Sequence, residues 1–183
     1  MSEWELKKHK IVSYLPRLIV YGPPKIGKST FAGSAPNVVF IPTEDGISGL
    51  DVMQLPSGRT CNTWEDMLKA VATLLKEEHD RKWVVIDTIN GAAELCAKYI
   101  CDRDFGGCWE SRKGQEGFNA WGRGDKATAQ EFKRLITGLD MLREEKGMGC
   151  ILLAHQGLHR SGNALGEDFM LSLIHISEPT RPY

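Results

Sequence analysis

The chain has 183 residues, of which 42% are hydrophobic and 26% charged, a balance that fits one globular domain with a real core and excludes a globally disordered chain. Lys+Arg 23 against Asp+Glu 24 gives a formal net charge of -1, which excludes nucleic-acid binding by bulk charge alone. Five cysteines, an odd number, read as reduced thiols rather than a disulfide framework. No apolar run reaches the roughly 18 residues of a membrane-spanning helix, and the opening MSEWELKKHK lacks the apolar stretch of a secretory signal.

In chain order, the run Leu18, Ile19, Val20, Tyr21 ends at Gly22 and predicts a buried strand. A loop of Gly, Pro and Lys follows, and Ser29-Thr-Phe-Ala reads as a helix start. Residues 38–41 form a second apolar run, closed by Pro42. Thr63, with an acid three residues on, predicts a capped helix N-terminus. Behind it Trp64, Met67, Leu68, Val71, Leu74 and Leu75 recur at helical spacing, so one face is buried. Residues 83–86 form a third apolar run ending at Asp87, and 92–100 look helical. Residues 101–126, rich in Gly, charge and aromatics, predict a long loop or small insertion. Phe132, Leu135, Ile136, Leu139 and Leu142 mark an amphipathic helix closed near Gly147, and 150–154 form a fourth apolar run.

Short apolar strands alternating with amphipathic helices predict an α/β fold, a mostly parallel sheet covered on both faces. Such sheets bind ligands at the carboxyl ends of their strands. The four runs end in Gly22, in Pro42-Thr43-Glu44, in Asp87 and in His155-Gln156, so the polar residues fall where the site is expected.

Gly22, Pro23, Pro24, Lys25, Ile26, Gly27, Lys28 and Ser29 match G-x-x-x-x-G-K-[ST] without a gap. The chemistry needs these residue types. Successive main-chain N–H groups must converge on phosphate oxygens, and a side chain on Gly27 would obstruct that approach. Pro23 and Pro24 remove donors only early in the loop, and those from Lys25 to Thr30 remain. Lys28 offers a point charge to the outer phosphates, Ser29 an oxygen to Mg²⁺, and the helix opening near Lys28 its N-terminal dipole. Asp87 at the end of the third run is the candidate Mg²⁺ carboxylate. The residue after it is Thr88 rather than a second acid, so a hydrolase would need its water-orienting base elsewhere. Glu44 is the candidate, with Asp45 as the alternative acid, provided the second strand neighbours the Asp87 strand.

This layout resembles the three-layer RecA-like class of P-loop NTPases, in which a catalytic glutamate follows the second strand and the Mg²⁺ aspartate is followed by Ser or Thr. The resemblance implies that 22–30 form the ATP loop, that Glu44 activates water, and that Ser29 and Asp87 hold Mg²⁺. It further implies that Gln156 senses the γ-phosphate. His155 reads either as a member of that sensing pair or as a plain strand-end histidine. More narrowly, 18–158 resemble phage nucleotide-binding proteins linked to single-strand annealing and recombination. That implies a cytoplasmic protein of a bacterial host, single-stranded DNA as a partner, a homo-oligomer and no membrane. The 101–126 window interleaves Arg103, Arg112, Lys113, Arg123 and Lys126 with Phe105, Trp109, Phe118 and Trp121, which suits single strands. Asp102, Asp104, Glu110, Glu116 and Asp125 cancel that charge, so the composition does not demand DNA. Cys96, Cys101 and Cys108 with His79 lack paired zinc-knuckle spacing and read as helix cysteines. Lys7, Lys8 and Lys10 read as a solvated face.

Leu171 to Arg181, LSLIHISEPTR, resemble one reading frame of a sequencing-library adapter. Residues 171–183 are therefore expected to be a non-native tail after a domain at 1–170 that lacks its last core strand beside the phosphate-loop strand. An apolar sheet edge would then be exposed, and 171–176 could be recruited to cover it. Two other functions remain open on the same loop: a small-molecule or nucleotide kinase, and a non-catalytic nucleotide-dependent assembly factor.

Overall fold

Apolar runs without polar interruption can bury both faces of a strand, and the central strands do so. The computed structural model describes residues 15–111 and 116–156 and the strands at 159–162 and 168–171. Strands β1 (Arg17–Gly22), β2 (Val38–Pro42), β3 (Met53–Gln54), β4 (Trp83–Asp87) and β5 (Gly149–His155) form one parallel sheet in the order β1-β5-β4-β2-β3. Helices α1 (Lys28–Gly33), α2 (Trp64–Lys76), α3 (Ile89–Phe105) and α4 (Arg123–Glu145) connect and cover it, giving the three-layer α/β architecture expected of a RecA-like domain. Strands β6 (His159–Gly162) and β7 (Asp168–Leu171) form a separate antiparallel pair.

Side chains leave a strand alternately to its two faces, and the core divides accordingly. Val39, Ile41, Val84, Ile86 and Cys150 pack with α2, α3 and α4. Val38, Phe40, Val85, Ile151 and Leu153 pack on the other face with Ala32 of α1 and with Ile47. Each fully buried Val, Leu or Ile contributes roughly 1.5–3 kcal/mol relative to exposure. Thr63 caps α2 as its sequence predicts, its hydroxyl accepting from the Asp66 N–H at 3.1 Å. Trp64 stacks on Phe132 of α4 and donates its indole N–H to Glu131, which fixes α2 against α4.

Three features differ from the sequence expectation. Helix α3 runs on to Phe105 and ends at Gly106, which takes the left-handed conformation at φ 58°. Helix α4 begins at Arg123, right after Gly122 at φ 66°. Helix thus takes both ends of the 101–126 window, while residues 106–111 and 116–119 between them are not helical. Asp102, Arg103 and Asp104 of α3 and Arg123 and Lys126 of α4 are exposed, and the small residues Ala92 and Cys96 give α3 a weak apolar stripe. The two-residue strand β3, too short to leave an apolar run, adds a fifth member outside β2.

Among the described residues no strand pairs with the outer side of β1, and Ile19 and Tyr21 stand exposed there. Arg17 on the same strand pairs with Asp140 of α4. Leu171 pairs with His159 in the β6–β7 ribbon, whereas 172–183 and the basic N-terminal stretch lie outside the described residues.

Gly149 opens β5 where a Cβ would come within 2.4 Å of the Trp83 ring. Gly149→Ala should therefore lower the unfolding free energy by about 1–3 kcal/mol, read from denaturant midpoints. An unchanged midpoint would mean that this strand crossing is loose.

Candidate functional site

The loop between β1 and α1 turns back on itself through Lys25 at φ 66° and Gly27 at φ 96°. Gly takes this left-handed conformation at no steric cost, whereas Lys25 bears a penalty that such loops accept at binding sites. Lys28 is almost wholly buried. Its ammonium donates to the carbonyls of Gly22 and Pro23, both at 3.0 Å, and lies 3.3 Å from His155 Nδ1.

Strand pairing decides what faces this loop. β2 lies directly beside β4, with Pro42 opposite Asp87, so the residues just beyond Pro42 emerge next to the Asp87 carboxylate. Glu44 and Asp87 both line a cavity of about 570 Å³ together with Pro24, Lys25, Gly27, Lys28, Ser29 and Thr30. Asp45, Gly46 and His155 complete its wall. The Glu44 carboxylate contacts His155 Nε2 at 2.6 Å. Gly22, Pro23 and Ile26 do not line the cavity. Gly22 and Pro23 serve it through their carbonyls, and the Ile26 side chain points to solvent. Gln156 donates its main-chain N–H to the Gly22 carbonyl at 3.1 Å, and its side chain is not part of the wall.

Residues that sequence reasoning missed hold this arrangement together. The Thr43 hydroxyl accepts from the Thr88 N–H at 2.8 Å and donates to the Thr88 carbonyl at 3.1 Å, while the Thr43 N–H donates to the Asp87 carbonyl. The ends of β2 and β4 are thereby clamped. Gly91 makes room for the clamp, since a Cβ there would lie 2.2 Å from Thr43 Oγ1. Asn90 Oδ1 accepts the His155 N–H at 2.8 Å and ties β5 to the first turn of α3. The Asn90-Gly91 pair is a turn signal in sequence, and here it serves a helix start.

Asp87 is only 2% exposed. Burial, with the nearby Glu44 charge, pushes its carboxyl above the ordinary range, while the Ser29 hydroxyl, His155 and Lys28 oppose the shift. Ser29 Oγ donates to Asp87 Oδ2 at 2.7 Å. A desolvated carboxylate beside a hydroxyl is a hard, all-oxygen donor pair suited to Mg²⁺. Gly46 lies directly against this pair, since a Cβ added there would be in contact with both, 3.5 Å from Asp87 Oδ2 and 3.8 Å from Ser29 Oγ. These residues fit a Mg²⁺ held jointly by protein, phosphate and water.

A family model described as an AAA domain matches residues 16–179. The chain belongs to this AAA domain family. None of the curated proteins searched matches the chain. The solved structure of the RadB recombinase is similar to this AAA domain over 85% of the chain and 68% of its own, with a TM-score of 0.47 and 17% identity.

The remaining sequence candidates fall elsewhere in the AAA domain. Phe105 and Phe118 form a small core with Ile100 and Cys101, and Trp109 packs on Phe118. Neither phenyl ring is free to stack on a base. Trp121 is 90% exposed. Arg103 pairs with Asp104 and Glu131 and lies over the Tyr99 ring, and Arg123 pairs with Glu116. Arg112 and Lys113 lie outside the described residues. Cys96 and Cys101 are buried in α3, and burial pushes the Cys96 thiol up to about 12, so it stays protonated. Among the described residues no helix is long and apolar enough to cross a membrane.

Because Asp87 holds its proton more tightly folded than unfolded, ionising it costs the folded state. That cost is present at neutral pH and vanishes as pH falls through the raised value into the ordinary carboxylate range. Without nucleotide or divalent cation, Asp87→Asn should melt at a higher temperature than the parent at neutral pH, with the gain shrinking in acid. Equal melting at neutral pH would contradict a desolvated carboxylate.

Proposed function

We propose that this AAA domain binds ATP with Mg²⁺ and hydrolyses it. The observation that carries the reading is that Glu44 and Asp87 enter the cavity walled by the 24–30 loop, a consequence of β2 lying beside β4. Main-chain N–H groups of 25–30 bind phosphate oxygens, and Lys28 exchanges its carbonyl partners for the outer phosphates. Ser29 and Asp87 hold the cation, which when bound neutralises charge on the phosphates. Glu44 orients water and accepts its proton, and Gln156, tied to the loop through Gly22, responds to the γ-phosphate.

In this reading residues 1–170 are the functional domain, and 171–183 take no part. The biological setting follows from the resemblance to phage annealing-associated ATPases: DNA recombination or single-strand annealing in the cytoplasm of a bacterial host. The protein works there as a homo-oligomer on single-stranded DNA. The exposed Trp121 supports a stacking contact with bases. The ion pairs of Arg103 and Arg123 leave less free positive charge than the composition suggests.

Multiple-turnover phosphate release tests the hydrolase. Lys28→Ala should lose nucleotide binding by about a hundredfold or more. Glu44→Gln should keep nucleotide affinity within about threefold while turnover falls by about 10²–10⁴-fold. Single-stranded DNA should raise the parent's turnover with no phosphate transferred to a nucleoside or nucleotide acceptor. Normal turnover in Glu44→Gln would place the base elsewhere, and transfer to an acceptor would make the protein a kinase.

A further inference from the structure

His155 bridges two groups that the proposed reaction uses separately. Its Nδ1 faces the Lys28 ammonium at 3.3 Å and its Nε2 faces the Glu44 carboxylate at 2.6 Å. An ammonium can only donate, so Nδ1 must be the acceptor. The ring proton then sits on Nε2 and is donated to Glu44. The contacts therefore fix one tautomer of a neutral imidazole. The ring is anchored from behind, because the His155 N–H is held by Asn90 Oδ1 at 2.8 Å.

We propose that His155 is a positioning residue that couples phosphate engagement by Lys28 to the orientation of Glu44. In the nucleotide-free state Lys28 spends its three donors on Gly22, Pro23 and His155. The same ring holds Glu44 by its other nitrogen. When Lys28 turns to an anionic phosphate it releases Nδ1, the constraint on the tautomer disappears, and the hold on Glu44 changes with it. The base is thus kept in a defined place until the lysine finds its ligand. The inference rests on the ATPase reading for its consequence and on the three contacts alone for its geometry, and the two are tested separately.

The geometry is read without turnover. With imidazole nitrogens labelled, ¹⁵N NMR of the nucleotide-free protein should show His155 as the Nε2–H tautomer with Nδ1 unprotonated. That pattern should change when a non-hydrolysable ATP analogue and Mg²⁺ are added, and it should be lost in Lys28→Met without any ligand. An Nδ1–H tautomer in the free protein, or a pattern indifferent to Lys28→Met, overturns the proposal.

The consequence is read by kinetics. His155→Ala should lower kcat about 10–100-fold, the usual cost of removing a group that orients a reacting one. Its nucleotide affinity should stay within about threefold. His155→Gln, which keeps a donor and an acceptor on one planar group, should recover part of that loss. In a Glu44→Gln background His155→Ala should cost nothing further, because the two act as a unit. Additive losses, or no recovery by Gln, would make His155 merely structural. If the parent shows the tautomer change but hydrolyses no ATP, the ATPase reading fails while the coupling geometry stands.

Discussion

A carboxylate held almost out of water at the end of β4 is the constraint around which the rest is arranged. Asp87 is costly to ionise where it sits, and the Ser29 hydroxyl, with the nearby His155 and Lys28, offsets only part of that cost. A group kept in that condition is poised for a cation, whose charge removes the cost. The rest of the site serves to bring the right neighbours to it. Parallel pairing puts β2 on one side of β4 and β5 on the other, so Glu44 and His155 emerge within reach of the same cavity. The clamp of Thr43 on Thr88 and the tie from Asn90 to His155 keep the three strand ends from splaying.

The fold was largely legible because a doubly covered parallel sheet writes itself as continuous apolar runs. The runs ending at Gly22, Pro42, Asp87 and His155 became strands with those ends. What escaped were elements with weak apolar signatures. Helix α3 buries small residues such as Ala92 and Cys96, so its full length to Phe105 leaves little periodic trace. Strand β3 holds its place by two residues of pairing to β2 and by no pattern of its own.

For the candidate site, side chains that wall the cavity were readable and those that position them were not. The phosphate loop, Asp87 and Glu44 are spelled by motif and by place at strand ends. Thr43 and Asn90 act through main-chain groups of Thr88 and His155, and Gly91 by leaving room for the Thr43 hydroxyl; a threonine or Asn-Gly pair carries no mark of such partners. The interleaved aromatics of 101–126 misled in the opposite direction: Phe105 and Phe118 look like a stacking surface in sequence, yet they pack on each other, and Trp121 stands exposed. Spacing cannot distinguish an aromatic that meets solvent from one that meets another ring.

The proposition beneath all of this is that main-chain amides at the tip of β1 receive a triphosphate while Glu44 and Asp87 close around its outer end. Amide hydrogen exchange, compared with and without a non-hydrolysable ATP analogue and Mg²⁺, reads it most directly. Exchange should slow at residues 25–30, and around 43–46 and 87–91 in the same transition, with the outer edge of β1 unaffected. Binding of the analogue, established by calorimetry, with no protection at 25–30 would place the nucleotide elsewhere on the protein.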